Sequence, residues 1–193
     1  EERERQVCYR NGTRRVYRLV PVGRQMMMAA AAATTAVVRS GGTYVVTGGL
    51  GGLGRIFGRW LAERGAREVV LVHRRAASAE AEMEAAAAVA ELRDAGASGS
   101  RAVMADVGDY AALAKAVGDF VACSGVLHSA GTLDNGIIPN QNWGKFLRVM
   151  RSKVMGTWNL HRLLGVGGGA GADGMFVLFS SVASTLGSTG QVN

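Results

Sequence analysis

Tyr44-Val45-Val46-Thr47-Gly48-Gly49-Leu50-Gly51-Gly52-Leu53-Gly54 sets a short apolar run against a loop of five glycines. The run predicts a buried strand over Tyr44–Thr47, and an amphipathic pattern over Leu53–Arg64 predicts a helix beyond the loop, with Gly65 as its stop. Strand, glycine loop and helix in that order let the backbone come close to a phosphate. The helix N-terminus adds free N–H groups and a partial positive charge. A glycine-rich turn that binds nothing is the plain alternative. The loop carries no lysine followed by Ser or Thr, which excludes an ATP-type phosphate loop.

The pattern repeats outward from that stretch. Strands are predicted at Glu68–His73, Arg101–Met104, Gly125–His128 and Met175–Ser180. Helices are predicted from a cap at Ser78 to near Ala95-Gly96, and over Tyr110–Val117, Trp143–Met150 and Lys153–Leu164. Alternation of this kind means an α/β Rossmann-type fold, a doubly wound parallel sheet with helices on both faces. The glycine-rich run 165–174 reads as a surface loop.

The strand ending at His73 is followed by Arg74 and Arg75, and Arg74 lies 74 − 54 = 20 residues beyond Gly54. At about that distance an NAD-binding domain places a carboxylate on the ribose, whereas an arginine suits the 2′-phosphate of NADP. No carboxylate stands at this strand end, so the position favours NADPH over two merely solvated arginines. Asp106-Val107 follows the next strand and resembles the Asp-Val pair with which a known reductase family brackets adenine, a helix cap being the alternative reading of Asp106. Ser129, Ala130 and Gly131 follow the fourth strand and are small enough for a cofactor to lie against the backbone.

Composition narrows the alternatives. With 48% hydrophobic and 19% charged residues the chain buries a core and is not disordered. Of the net charge of +7, residues 1–24 supply 7 − 3 = +4, from seven arginines and three glutamates. In Val7–Val22 these arginines alternate with apolar residues around Asn11-Gly12, which predicts an exposed hairpin in preference to a nucleic-acid arm. Cys8 and Cys123 lack metal-ligand or CxxC spacing, so no metal is expected and a reducing, cytoplasmic setting fits. Met26–Val38 is apolar over only 13 residues. A span needs about 20, so no membrane partner is expected. The expected organisation is 1–24 as strands of an upstream unit, 25–40 as an Ala/Met-rich linker, and 41–193 as the nucleotide-binding domain.

The segments TGGLGGLG, LVHRR, ADV, GVLHSAGTLDNG, FLRVMRSKVMGTWNLH and FVLFSSVASTLGSTGQVN occur in order over about Gly42–Asn193. Together they resemble the ketoreductase domain of a polyketide synthase or animal-type fatty acid synthase, in the short-chain dehydrogenase/reductase superfamily, whose loop pattern is TGxxxGxG. The resemblance implies NADPH-dependent reduction of a β-ketoacyl thioester carried on an acyl carrier protein, with other synthase domains as partners. It implies Ser181 and Lys153 as catalytic residues. The family's tyrosine position falls immediately past Asn193, so this chain by itself is expected to be inactive. It implies a cofactor site built from Thr47, Gly48, Leu50, Gly51, Gly52, Leu53, Gly54, His73 and Arg74, with Asp106, Val107, Ser129, Ala130 and Gly131 opposite. For product configuration, Leu133-Asp134-Asn135 resembles the Leu-Asp-Asp class except at Asn135, and Leu186 replaces the tryptophan of the other class. The alternative is a ketoreductase-like module that binds cofactor, or only supports a synthase, without reducing anything.

Overall fold

The computed structural model describes residues 7–16, 21, 38–118, 123–164 and 174–192. The chain divides into two units, 1–37 and 38–193. In the first, β1 (Val7–Arg10) and β2 (Thr13–Val16) form an antiparallel hairpin in which Val7 faces Val16 and Arg10 faces Thr13. Asn11 and Gly12 take φ of 49° and 73°, the left-handed pair that a two-residue hairpin turn of this twist requires. The expected linker lies outside the described residues apart from its last three positions, and the glycine-rich run lies outside them apart from Gly174.

In the second unit, the strands are β3 (Thr43–Thr47), β4 (Glu68–His73), β5 (Arg101–Met104), β6 (Cys123–His128) and β7 (Met175–Leu178). The helices are α1 (Gly52–Glu63), α2 (Ala79–Asp94), α3 (Tyr110–Val117), α4 (Trp143–Met150), α5 (Gly156–Leu164) and the short α6 (Ala183–Leu186). All five strands are parallel, in the order β5-β4-β3-β6-β7. Successive strand residues point to opposite faces, and both faces are buried. Tyr44, Val46, Leu71 and Leu127 pack with Leu61 of α1 and Leu92 of α2. Val45, Val70, Val72 and Val126 pack with Leu113 of α3 and Leu160 of α5. This is the doubly wound parallel sheet that the alternation predicted.

The caps follow local chemistry. Ser78 Oγ accepts from the Ala81 N–H at the start of α2, and Gly65 and Gly96 follow their helices with φ of 95° and 112°. No helix among the described residues is long and apolar enough to cross a membrane.

Three details differ from the sequence reading. Strand β7 stops at Leu178, which leaves Ser180 and Ser181 in the turn beyond it. A single-turn helix, α6, follows that turn. The helix expected to begin at Lys153 instead opens with a π-turn over Arg151–Met155, where the Gly156 N–H reaches the Arg151 carbonyl five residues back. Gly156 there lies against the loop after β5, and an added Cβ would stand 2.7 Å from Val107 Cγ2.

The chain winds outward from β3 to β5, then crosses back to β6 and β7 on the other side. The C-terminal ends of β3 and β6 therefore flank the point where the winding reverses, which in open α/β sheets is the place where a ligand crevice opens.

Candidate cofactor crevice and catalytic residues

A crevice of about 250 Å³ opens at that point. Gly48, Leu50 and Gly51 form one wall, His73 and Arg74 close one end, and Asp106, Val107 and Ser129 to Gly131 stand opposite. Val72, Arg75, Ala105, Thr132 and Ser152 complete it, and of these five the sequence pointed only to Arg75, as the neighbour of Arg74.

Three glycines of the loop, Gly48, Gly49 and Gly54, are dictated by contacts within the protein itself. Gly48 has φ of 66°, and a Cβ on it would sit 3.0 Å from the Ala130 nitrogen. A Cβ on Gly54 would overlap the Gly48 carbonyl oxygen and stand 2.7 Å from Gly49 Cα. Gly52 is different. A Cβ there meets nothing within 4 Å, so no neighbour in the chain demands a glycine at the first residue of α1. The N-cap Gly51 offers α1 no side-chain hydrogen bond, and its first turn holds no acidic residue. An uncapped helix N-terminus with open space above a glycine suits the pyrophosphate of a dinucleotide. These observations fit the expected group on the side of the crevice where Leu53 also lies exposed.

The two arginines at the end of β4 differ in engagement. Arg75 pairs with Glu84 of α2. Arg74 extends from β4 toward the segment after β6, where its Nη2 donates to Thr132 Oγ1 at 2.8 Å. Arg74 hydrogen-bonds a neutral hydroxyl, a contact that a phosphate can displace, and its charge also helps to hold the Asp106 carboxyl below its ordinary pKa. His73 is half-buried, and its Nδ1 has no hydrogen-bond partner. Burial first, and then Arg75, lower its pKa below the ordinary histidine value.

Asp106 has neighbours of its own. Its Oδ1 accepts from the Gly108 N–H at 2.8 Å and its Oδ2 from Arg151 Nε at 2.9 Å. Burial pushes the carboxyl up, but the Gly108 amide and Arg151 together hold it below its ordinary value. The helix cap is a different aspartate: Asp109 Oδ1 accepts from Ala112 N at the start of α3. The capping reading of Asp106 is thereby corrected, because the loop after β5 spends three residues turning before α3 begins. Val107 is buried, and its carbonyl accepts from Asn159 Nδ2 of α5 at 2.9 Å.

Lys153 is exposed on the π-turn, and its Cε lies 3.8 Å from where a Gly131 Cβ would stand. This places the ammonium-bearing chain beside the end of the crevice. Ser181 is exposed beyond β7, where its Oγ accepts from the Ala183 N–H at 3.1 Å, so its own proton is available to donate. Asn135 is held through its backbone: its carbonyl accepts from Lys145 Nζ at 3.2 Å, while Asp134 pairs with Lys145 and Arg148. Gly136 N–H donates to the Gly190 carbonyl at 2.8 Å, which ties this loop to the segment after α6. Leu186 ends α6 with 48% of its surface exposed.

The family model of the KR domain matches residues 42–193, nearly the whole of the second unit. The chain belongs to the KR domain family. Among curated relatives, squalestatin hexaketide synthase of a Phoma species is 37% identical over 152 residues, covering 78% of this chain and 6% of the relative. Mycoketide-CoA synthase of Mycobacterium tuberculosis is 41% identical over 159 residues, covering 79% of this chain and 4% of the relative. Among solved structures, the first ketoreductase of the tylosin polyketide synthase is 34% identical with a TM-score of 0.69, covering 97% of this chain and 38% of that chain. This KR domain chain thus spans less than a tenth of the synthases it matches. The family resemblance read from the six segments holds, and so does the Rossmann-type fold.

Proposed function

We propose that this KR domain takes part in an NADPH-dependent reduction of a β-ketoacyl thioester to the β-hydroxyacyl thioester. The substrate is carried on an acyl carrier protein within a multidomain synthase of polyketide or fatty acid biosynthesis. The observation that carries the reading is the glycine-walled crevice ending at Arg74, with Lys153 beside its wall residue Gly131. Gly48, Gly51, Gly52 and the N-terminus of α1 would hold the pyrophosphate, and Arg74 would hold the 2′-phosphate. When bound, NADPH supplies the hydride to the ketone carbon.

The chain's own residues handle the charge that develops on the ketone oxygen. Ser181 donates its hydroxyl proton as a hydrogen bond to that oxygen, as an oxyanion-hole donor does. A tyrosine at the position just past Asn193 is the proton donor in this reading, and the Lys153 cation favours its ionised form. Asn135, on the loop after β6, and Leu186, at the end of α6, direct the acyl chain and the configuration of the product. Residues 1–24 belong to an upstream structural unit, and 25–40 link it to the KR domain.

The test uses the chain continued past Asn193 and a simple β-ketoacyl thioester, following the loss of reduced-nicotinamide absorbance. Turnover is expected, and Ser181→Ala is expected to lower kcat by about 10²-fold or more. Residues 1–193 alone are expected to bind NADPH without turning over. Robust turnover by residues 1–193 would remove the tyrosine from the reading, and full activity of Ser181→Ala would remove the serine.

A further inference from the structure

Thr47, His128 and Ser152 come from three separate elements and are each at most 5% exposed. His128 Nδ1 lies 2.6 Å from Thr47 Oγ1, and its Nε2 lies 3.0 Å from the Ser152 carbonyl oxygen. A carbonyl only accepts, so Nε2 carries the proton. Thr47 Oγ1 accepts from the Ala130 N–H at 3.2 Å. In the neutral ring Nδ1 is therefore an acceptor, and the Thr47 hydroxyl donates to it. Burial lowers the pKa of His128 and keeps it neutral, against a smaller opposing effect of the Ser152 bond. Every proton in the line has one direction: Ala130 N–H to Thr47, Thr47 O–H to His128, His128 Nε2–H to Ser152.

The far end of this line is the residue before Lys153, on the π-turn. The near end is Ala130, which walls the crevice, and the Thr47 carbonyl accepts from both Ser129 N and Ser129 Oγ. Gly156 completes the fit, since a Cβ there would stand 3.3 Å from His128 Cε1. An aliphatic side chain would fill the space at the end of β6 but hold no carbonyl. π-turns inside helices mark functional sites often enough to ask what this one serves.

We infer that His128 is a positioning residue for Lys153: its Nε2–H grips the Ser152 carbonyl and thereby sets the π-turn that presents Lys153 beside Gly131. Thr47 selects the tautomer that makes this grip. The inference rests on the proposed role of Lys153.

The test combines a spectroscopic and a kinetic readout. With three histidines in the chain, ¹⁵N NMR of residues 1–193 resolves the His128 tautomer, which is expected to be Nε2–H. The lysines are Lys115, Lys145 and Lys153, so ¹³C labelling gives each a separate ε-methylene signal. His128→Phe is expected to move the Lys153 signal and leave that of Lys115 in place, and His128→Gln, which retains a donor, is expected to restore it. In the continued, active chain His128→Phe is expected to lower kcat by about 10²-fold, the scale of a misplaced catalytic group, with the Kd for NADPH within about twofold. On a Lys153→Ala background the same substitution is expected to cost little more, because both remove one function. If His128→Phe does not fold, Thr47→Val breaks the line from its other end and must shift the tautomer and the Lys153 signal. An unmoved Lys153 signal with unchanged kcat in a folded variant overturns the inference, as does an Nδ1–H tautomer. Loss of turnover in Lys153→Ala but not in His128→Phe overturns the positioning role alone. Full turnover in Lys153→Ala overturns the proposed catalytic role and this inference with it.

Discussion

The two sides of the crevice are built by different physics. On the cofactor side the walls are strand ends and the loops leaving them: Thr47, Val72, Ala105 and Val107 are all buried, and Gly48 and Gly54 are forced by backbone contacts. On the substrate side Ser181, Asn135 and Leu186 are exposed. The loop of Asn135 is held by long polar side chains, with Lys145 and Arg148 on Asp134, and a backbone bond from Gly136 to Gly190 ties it to the segment after α6. Close packing defines the first side, so a small error in volume there is felt throughout. Ion pairs hold the second, and the more exposed of them, Arg148 with Asp134, contributes little to stability while still setting an orientation. The same division tells which substitutions act on folding and which act on chemistry.

The largest expected effect separates two glycines of one loop. Gly54→Val places side-chain atoms on the Gly48 carbonyl, and overpacking of this kind costs about 3 kcal/mol. Urea unfolding of residues 1–193 is expected to show that loss, together with loss of NADPH binding. Gly52→Ala points into open space at the first residue of α1, where alanine is favoured over glycine by up to about 1 kcal/mol in helical propensity. It is expected to leave stability intact or higher, yet to weaken NADPH by about tenfold, which is ~1.4 kcal/mol. Equal NADPH affinity for Gly52→Ala and the unmutated chain would show that the space above Gly52 is not the pyrophosphate site.

Arg74 tests the crevice at its other end. Arg74→Asp removes a charge-assisted contact worth about 1.5–3 kcal/mol, so the NADPH Kd is expected to rise by about 10- to 10²-fold. NADH binding should change much less, since NADH has no phosphate there. Because Arg75 is engaged with Glu84, Arg75→Ala is expected to leave the preference for NADPH in place. A preference that follows Arg75 instead would reverse the assignment made from the Thr132 contact.

On the substrate side, Arg148→Ala removes a cation that pairs with Asp134. The midpoint of thermal unfolding is expected to stay almost unchanged, while kcat or the ratio of hydroxyl configurations shifts in the continued chain. A large drop in melting temperature would mean that this loop belongs to the packed core after all, and the contrast between the two sides would fail.

That contrast also explains which features are legible in the amino-acid sequence alone. Glu68–His73, Arg101–Met104 and Tyr110–Val117 match their predicted bounds, because a short apolar run between turn signals or a capped amphipathic turn states its limits locally. Asn11-Gly12 likewise contains its own turn geometry. The π-turn at Arg151–Met155 is not legible, since it depends on Gly156 meeting Val107 and His128 from distant parts of the chain. Thr132 is hidden for a similar reason: its partner Arg74 is 58 residues away, and a threonine after a glycine carries no periodic signal. Lys153 and Ser181 become candidates only through the family resemblance, because a lone helix-surface lysine and a serine turn are common in any fold.

The smallest effect concerns acid. His128 is buried and neutral, its pKa lowered first by burial, whereas in the unfolded chain it titrates near its ordinary value of about 6.5. Between those two values the unfolded state binds a proton that the folded state refuses, so stability rises with pH through the window. The contribution is complete above about pH 6.5 and is lost as pH falls below it, with a slope of at most about 1.4 kcal/mol per pH unit for one proton. Protonation would also turn Nδ1 into a second donor facing Thr47 Oγ1, which already accepts from Ala130. His73 titrates in the same direction, through burial and then Arg75, so removing His128 leaves part of the slope. Chemical unfolding of residues 1–193 at successive pH values is therefore expected to show stability falling as pH drops from about 7 to about 5. His128→Gln is expected to flatten that fall. A slope unchanged by His128→Gln would mean that His128 takes up its proton alike in the folded and unfolded chains, so that burial does not exclude the charged ring.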